Sequence, residues 1–194
     1  MALTPATATT HASRVGCIVL AAGLSRRFGS DKRLYRLPSG TSLLQQTLDN
    51  LCPLFRQRVL VLRADDEALA RQFGGEWQIV VAAEAMLGMG HSLAAAMQAT
   101  TDWQGAVIAL ADMPWVQAAT VCSIRDSVKP DSLIVPVYKG QRGNPVGIGR
   151  NYFGRLAALH GDSGARQLMQ EFNAHIVKLD FDDPGLVRDL DEQP

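Results

Sequence analysis

No stretch of this sequence approaches the roughly 18 consecutive apolar residues of a membrane-spanning helix. The first residues, Met1 to Arg14, are rich in Ala and Thr and lack the apolar core of about 7 residues that a signal peptide needs, so a disordered tail is expected there and one folded unit over residues 15–194. Neither charge is in excess: 19 Lys and Arg balance 19 Asp and Glu. A neutral chain argues against nucleic acid or an anionic membrane as the main partner, since both call for a basic surface. Only three cysteines occur, Cys17, Cys52 and Cys122, far apart and without a CxxC pair, which disfavours a zinc site and suits buried, reduced thiols in a cytoplasm. There is no internal repeat, low-complexity segment or Pro/Gly/Ser linker to mark a second domain. Familiar catalytic signatures are missing too. Gly23 to Gly29 has the wrong spacing for a Walker loop and lacks its Lys-Ser/Thr, the G-x-G-x-x-G of dinucleotide binding is absent, and no Ser/His/Asp or Cys/His set stands out.

What is present is an alternation of apolar strands and amphipathic helices. Strands are expected at Val15–Leu20, Arg58–Leu62, Ile79–Ala82, Ala106–Leu110, Leu133–Val137 and Ile176–Leu179, with an irregular one over Gln141–Arg150. Helices are expected at Thr41–Leu51, Asp65–Gln72 with Asp65 as N-cap, Ser92–Thr100 with Ser92 as N-cap, Ala118–Val128, Tyr152–His160 and Ala165–Phe172. This order predicts a single α/β domain of Rossmann-like, three-layer form: a mostly parallel sheet with helices on both faces.

The first chemistry-bearing segment is Leu20-Ala21-Ala22-Gly23-Leu24-Ser25-Arg26-Arg27-Phe28-Gly29-Ser30-Asp31-Lys32, directly after the first apolar strand. Small residues let the backbone approach a ligand so that its N–H groups can face phosphate oxygens, and Arg26, Arg27 and Lys32 bring positive charge to the same exposed loop. Ligands of open α/β sheets bind at the carboxyl ends of strands, where this loop falls. A plain strand-to-helix turn with solvated cations is the alternative. The second is Asp112, which follows the apolar Val107–Ala111 and should emerge at the same sheet edge. It can serve as a Mg2+ carboxylate or as an ordinary turn aspartate before Pro114. The third, Gly88-Met89-Gly90-His91-Ser92-Leu93, offers either a helix terminus for a ligand or merely a capped helix, with His91 a loop residue rather than a ligand or base.

Together these segments resemble the signature L-A-x-G-x-S-x-R-x-G-x-x-K of nucleotidyltransferases that activate sugars and cofactors, and among them the molybdenum cofactor cytidylyltransferases, related to the guanylyltransferases. Leu20, Ala21, Gly23, Ser25, Arg27, Gly29 and Lys32 occupy the signature positions. Leu110-Ala111-Asp112-Met113-Pro114 resembles the family's G-D-M-P metal segment with Ala111 for glycine, and Gly88 to Leu93 resembles its G-M-x-x-S-L ribose and base segment. Gly140 to Val146 is similar to G-x-x-G-H-P-V, with Asn144 where histidine is usual, which leaves the acceptor open. Gly161 to Arg166 matches G-D-x-G-A-R, read either as a helix start capped by Asp162 or Ser163 or as part of an acceptor site. Asp189-Leu190-Asp191 matches a D-x-D that supplies a second carboxylate to the metal in that family, without its usual Thr-Pro-Glu-Asp continuation, and either aspartate could be the ligand.

The resemblance covers about Val15 to Asp191 in separated motifs that keep the family's order and implies a Mg2+-dependent transfer of CMP from CTP to molybdopterin, with release of pyrophosphate and delivery of the product to a molybdoenzyme. Arg27, Lys32 and Asp112 would act in the transfer. Leu20, Ala21, Ala22, Gly23, Ser25, Arg27, Lys32, Gly88 and Ser92 would bind the nucleotide, and Asp112 with Asp189 or Asp191 the metal. The L-A-A-G form goes with cytidylyl transfer, whereas guanylyl- and sugar-directed relatives tend to read L-A-G-G. A methyl at Ala22 would narrow the base pocket in favour of a pyrimidine. A GTP-using enzyme, one with a sugar- or alcohol-phosphate acceptor, and a nucleotide-binding partner of a molybdoenzyme without catalysis remain the other readings.

Overall fold

A computed structural model describes residues 14–25, 28–161 and 164–190. The expectations placed on the first 13 residues, on Arg26 and Arg27, on Asp162 and Ser163, and on Asp191 fall outside the described residues.

The central apolar runs, such as Val15–Leu20 and Gly105–Leu110, form strands that are buried on both sides, whereas Gln78–Val81 and Ile176–Asp180 are partly exposed. Eight strands make one sheet: β1 (Val15–Leu20), β2 (Arg58–Leu62), β3 (Gln78–Val81), β4 (Gly105–Leu110), β5 (Leu133–Tyr138), β6 (Gln141–Arg142), β7 (Val146–Gly149) and β8 (Ile176–Asp180). Their order is β3-β2-β1-β4-β7-β5-β6, with β8 also paired to β5. β1 pairs in parallel with β2 and β4, β2 with β3, and β5 with β8, whereas β7 runs antiparallel between β4 and β5. The mostly parallel sheet is therefore as expected. The stretch read as one irregular strand over Gln141–Arg150 is two strands, because residues 143–145 leave the ladder where Gly143 packs against Leu186.

Among the described residues six α-helices cover the sheet: α1 (Leu43–Leu51), α2 (Glu67–Phe73), α3 (Met89–Met97), α4 (Ala118–Ser127), α5 (Phe153–Ala157) and α6 (Gly164–Glu171). The period-2 alternation of the strands divides the core into two layers. Cys17, Val19, Leu60, Leu62, Val107 and Ala109 pack under α1, α2 and α4, and Ile18, Val59, Val61, Ile108, Leu133 and Val135 pack under α3, α5 and α6. No described helix is long and apolar enough to cross a membrane.

Three helix starts differ from the sequence reading. α1 begins at Leu43 because Ser42 caps it, its hydroxyl accepting the Gln45 N–H at 3.1 Å. α2 begins after Asp66 rather than at Asp65, and the Asp66 carboxylate is engaged by two arginines instead of capping the helix. α3 begins at Met89, not after Ser92. Gly88 takes φ +127°, open to glycine, and turns the chain from the short helix Ala85–Leu87 directly into α3, leaving Ser92 buried within the first turns. The segment read as a helix over Tyr152–His160 is shorter, ending at Ala157 after a single 3₁₀ turn, Arg150–Tyr152.

Candidate functional site

The carboxyl ends of β1 and β4 lie side by side, in register through Leu20 and Leu110, and the backbone link continues one step further where the Ala111 N–H donates to Leu20 O at 3.2 Å. The loops leaving these two ends therefore share one edge and enclose a cavity of about 470 Å³. Its walls come from the β1 loop (Leu20 to Ser25, with Lys32 and Arg33), from Ala85 to Met89 with Ser92, from Leu43 of α1, and from Leu110 to Asp112. Every described residue expected to bind nucleotide lies here: Leu20, Ala21, Ala22, Gly23, Ser25, Lys32, Gly88 and Ser92, together with Asp112.

Across the cavity the Lys32 ammonium meets the Asp112 carboxylate, Nζ to Oδ2, at 2.7 Å. Lys32 is not the exposed loop charge the sequence suggests, since its side chain is 11% accessible and that of Asp112 23%. The other Asp112 oxygen, Oδ1, is buried and has no protein donor among the described residues. A buried carboxylate oxygen left unpartnered is costly, and a bound cation would satisfy it. α1 anchors the turn that carries this aspartate: Thr47 Oγ1 donates to Ala111 O at 3.1 Å and Asn50 Nδ2 to Pro114 O at 2.7 Å.

The β1 loop closes on itself. Ser25 takes φ +49°, its carbonyl accepts from Phe28 N–H at 2.9 Å, and its hydroxyl accepts from Lys32 N–H at 3.3 Å. The N–H groups of Ala22, Gly23 and Leu24 meet no acceptor among the described residues, which suits a cradle for anionic oxygens. Behind the loop sits a cluster the sequence did not reveal. Arg33, 4% exposed, donates to both oxygens of Asp66 (2.5 and 2.7 Å), to Asp31, and through Nη1 to Ala21 O at 2.7 Å. Arg63 joins Asp66, Asp31 and Gly23 O. Burial pushes the Asp31 and Asp66 carboxyls upward, but the hydrogen bonds and charge of Arg33, aided by Arg63, outweigh it and hold both below the usual range.

The remaining expected residues are distributed around this cavity. Gly90 packs so tightly on the loop before α6 that a Cβ there would stand 2.8 Å from the carbonyl oxygens of His160 and Gly161. Gly161, the first residue of the G-D-x-G-A-R segment, thus abuts α3. His91, read as a loop residue, lies in α3, because that helix already begins at Met89, and it pairs with Glu84 at 2.9 Å. Asn144 does not line the cavity, and its N–H bonds to Leu186 O at 3.0 Å. The C-terminal segment returns to the Asp112 turn: buried Asp183 accepts from Gln117 N–H at 2.9 Å, and the Arg188 guanidinium lies 4.0 Å from the Trp115 ring centre. Asp189 follows, exposed. Among the described residues no group of three or more His, Cys, Asp or Glu could hold a metal. The three cysteines are free thiols.

Residues 17–177 match the family described as "MobA-like NTP transferase domain". The chain is 27% identical over 187 residues, 90% of each protein, to the purine catabolism protein PucB of Bacillus subtilis (strain 168). Over 60 residues, 30% of this chain and 31% of the other, it is 43% identical to a probable molybdenum cofactor guanylyltransferase of Pyrococcus horikoshii. The crystal structure of Rv0371C from Mycobacterium tuberculosis H37Rv in complex with manganese is similar, with a TM-score of 0.71 and 27% identity, covering 87% of this chain and 88% of that one. With the sheet order, the loop at the β1 edge and a match spanning most of its length, the chain belongs to the MobA-like NTP transferase family and is a nucleotidyltransferase related to those that act on the molybdenum cofactor.

Proposed function

We propose that the protein transfers CMP from CTP to the terminal phosphate of a molybdopterin-type acceptor in the cytoplasm, releasing pyrophosphate, with Mg2+ as the resident metal and a molybdoenzyme as the recipient of the product. The observation that carries this reading is the convergence in one cavity of an unsatisfied backbone cradle, Lys32, and an Asp112 oxygen with no protein donor. These are the groups that a triphosphate and a divalent cation require, and a manganese complex of a relative is in keeping with divalent metal use.

In this scheme the N–H groups of Ala22, Gly23 and Leu24 receive phosphate oxygens, while Lys32, released from Asp112, and Arg27 bind the β and γ phosphates. Asp112 would hold the metal, and Asp189 or Asp191 would add a second carboxylate. When bound, the metal neutralises charge on the phosphate oxygens. Ala22 and the segment Gly88 to Ser92 bound the base and ribose end. An oxygen of the acceptor phosphate forms the new bond to the α-phosphorus, and the bond from that phosphorus to the bridging oxygen breaks as pyrophosphate departs. The acceptor is a phosphate monoester, already anionic near neutral pH, so no general base is required, and the chain's task is orientation and charge neutralisation.

Pure protein incubated with each nucleoside triphosphate, Mg2+ or Mn2+, and molybdopterin or a sugar phosphate, with pyrophosphate release as the readout, tests the assignment. Turnover confined to CTP and molybdopterin supports it. Turnover with GTP or a sugar phosphate corrects the base or the acceptor, and no turnover with any pair refutes catalysis.

A further inference from the structure

The sequence singles out Arg27 and Lys32 as cations of the loop, yet a heavily bonded side chain at this edge is the neighbour of Lys32. Arg33 is buried between Asp31 and Asp66, and its one bond to backbone goes to the Ala21 carbonyl, at 2.7 Å. A planar trans peptide points its C=O and the following N–H in opposite directions. Fixing the Ala21 oxygen therefore fixes the Ala22 N–H, and aims it away from the guanidinium. Arg63 stands in the same relation to the next peptide but one. Its Nη1 lies 3.5 Å from Gly23 O, at the outer limit of a hydrogen bond, so it holds the Leu24 N–H far more loosely than Arg33 holds that of Ala22. Two arginines and two aspartates form a neutral quartet whose donors, after serving the carboxylates, end on the loop backbone. Arg33 serves this purpose better than lysine could, because its planar fork carries five donors in fixed directions.

We propose that Arg33, locked by Asp66 and Asp31, is a positioning residue of the nucleotide site: by pinning the Ala21 carbonyl it presets the Ala22 N–H to receive a phosphate oxygen of the triphosphate. The inference rests on the nucleotidyltransferase reading and deepens it, since the loop is held in its binding shape by side chains that do not themselves carry the phosphate.

The test uses the full-length protein and Arg33→Lys, which keeps the charge but loses the fork, with Arg33→Met alongside. Pyrophosphate affinity by calorimetry is expected to fall about tenfold or more in both variants, the loss of one charge-assisted hydrogen bond. The affinity for Mn2+ alone is expected to stay unchanged, because Asp112 lies on the other wall of the cavity and has no bond to Arg33. General loosening of the domain would weaken Mn2+ and pyrophosphate binding together, and such a result overturns the proposal. Unchanged pyrophosphate affinity in Arg33→Lys overturns it as well. Wild-type protein supplies a check that depends on no variant: on titration with pyrophosphate the Ala22 amide proton resonance shifts downfield, and its failure to move while pyrophosphate binds refutes the assignment. Absence of any pyrophosphate or triphosphate binding by the wild type is a different result, which refutes the nucleotide reading itself.

Discussion

Lys32 Nζ and Asp112 Oδ2 stand 2.7 Å apart across the cavity, joining the loop after β1 to the end of β4. The pairing neutralises two part-buried charges, and under the proposed function it sets each in competition with its ligand, phosphate for Lys32 and the metal for Asp112. A cation at the unpartnered Oδ1 draws charge from the carboxylate and loosens its hold on the ammonium at Oδ2, which is then available to a triphosphate.

Substituting either partner should separate the two roles. Lys32→Met is expected to weaken CTP binding by about tenfold to a hundredfold, the value of a charged hydrogen bond. It should also lower Tm in metal-free buffer, because Asp112 is left partly buried without its partner. Added Mn2+ should raise Tm more in this variant than in the wild type. Asp112→Asn, equal in shape but uncharged, is expected to cut metal-dependent turnover by at least about a hundredfold while changing CTP affinity less. Near-normal turnover in Asp112→Asn would move the metal to other carboxylates, Asp189 first.

Ala22 is buried and lines the cavity. If its methyl narrows the base pocket, Ala22→Gly should reduce the preference for CTP over GTP. One methyl group is worth roughly 1–3 kcal/mol, so a preference of tens- to hundreds-fold should shrink towards parity. Competition between the two triphosphates measures it, and an unaltered ratio places the base selection elsewhere.

The Asp31 and Asp66 carboxyls are held below their ordinary value of 3.8 in the folded protein. A depressed folded pKa contributes stability that is complete above the unfolded value and is lost as pH falls through the folded one. The acid limb of the stability curve should therefore steepen below about pH 4. Asp66→Asn should lower stability at pH 7 by about 3 kcal/mol, having stripped a buried arginine of its main partner, and should flatten that limb. Urea midpoints between pH 3 and 7 give both quantities, and an equally steep limb in Asp66→Asn would show that other groups govern acid unfolding.

Gly90 faces backbone oxygens of His160 and Gly161, which cannot rotate away as a side chain would. Gly90→Ala is expected to cost about 1–3 kcal/mol by forcing α3 and the loop before α6 apart. Thermal melting reads the loss. A variant as stable as the wild type would mean that the two segments separate freely.

Much of this was legible in the sequence for a local reason. A parallel strand buried on both faces must be a continuous apolar run, so Val15–Leu20 and Arg58–Leu62 are found at the expected residues, and the motifs that follow strand ends are contiguous stretches that fall into one cavity once the sheet is parallel. The sequence by itself therefore determined the strand-helix alternation, the sheet edge that carries the site and most of the residues that line it. Helix starts were less legible, because Gly88 could begin α3 only through a positive φ that no local pattern announces, and Asp66 was diverted from capping by arginines elsewhere in the chain. Only the tertiary structure decided that Lys32 is buried against Asp112, that Arg33 and Arg63 brace the loop backbone, that Thr47 and Asn50 hold the Asp112 turn, and that the C-terminal segment returns to Trp115. Each of these joins residues far apart in the chain. A side chain's charge and reach are written in the sequence, but its partner is chosen by which strand ends the sheet brings side by side, and by the cost of leaving a buried charge alone.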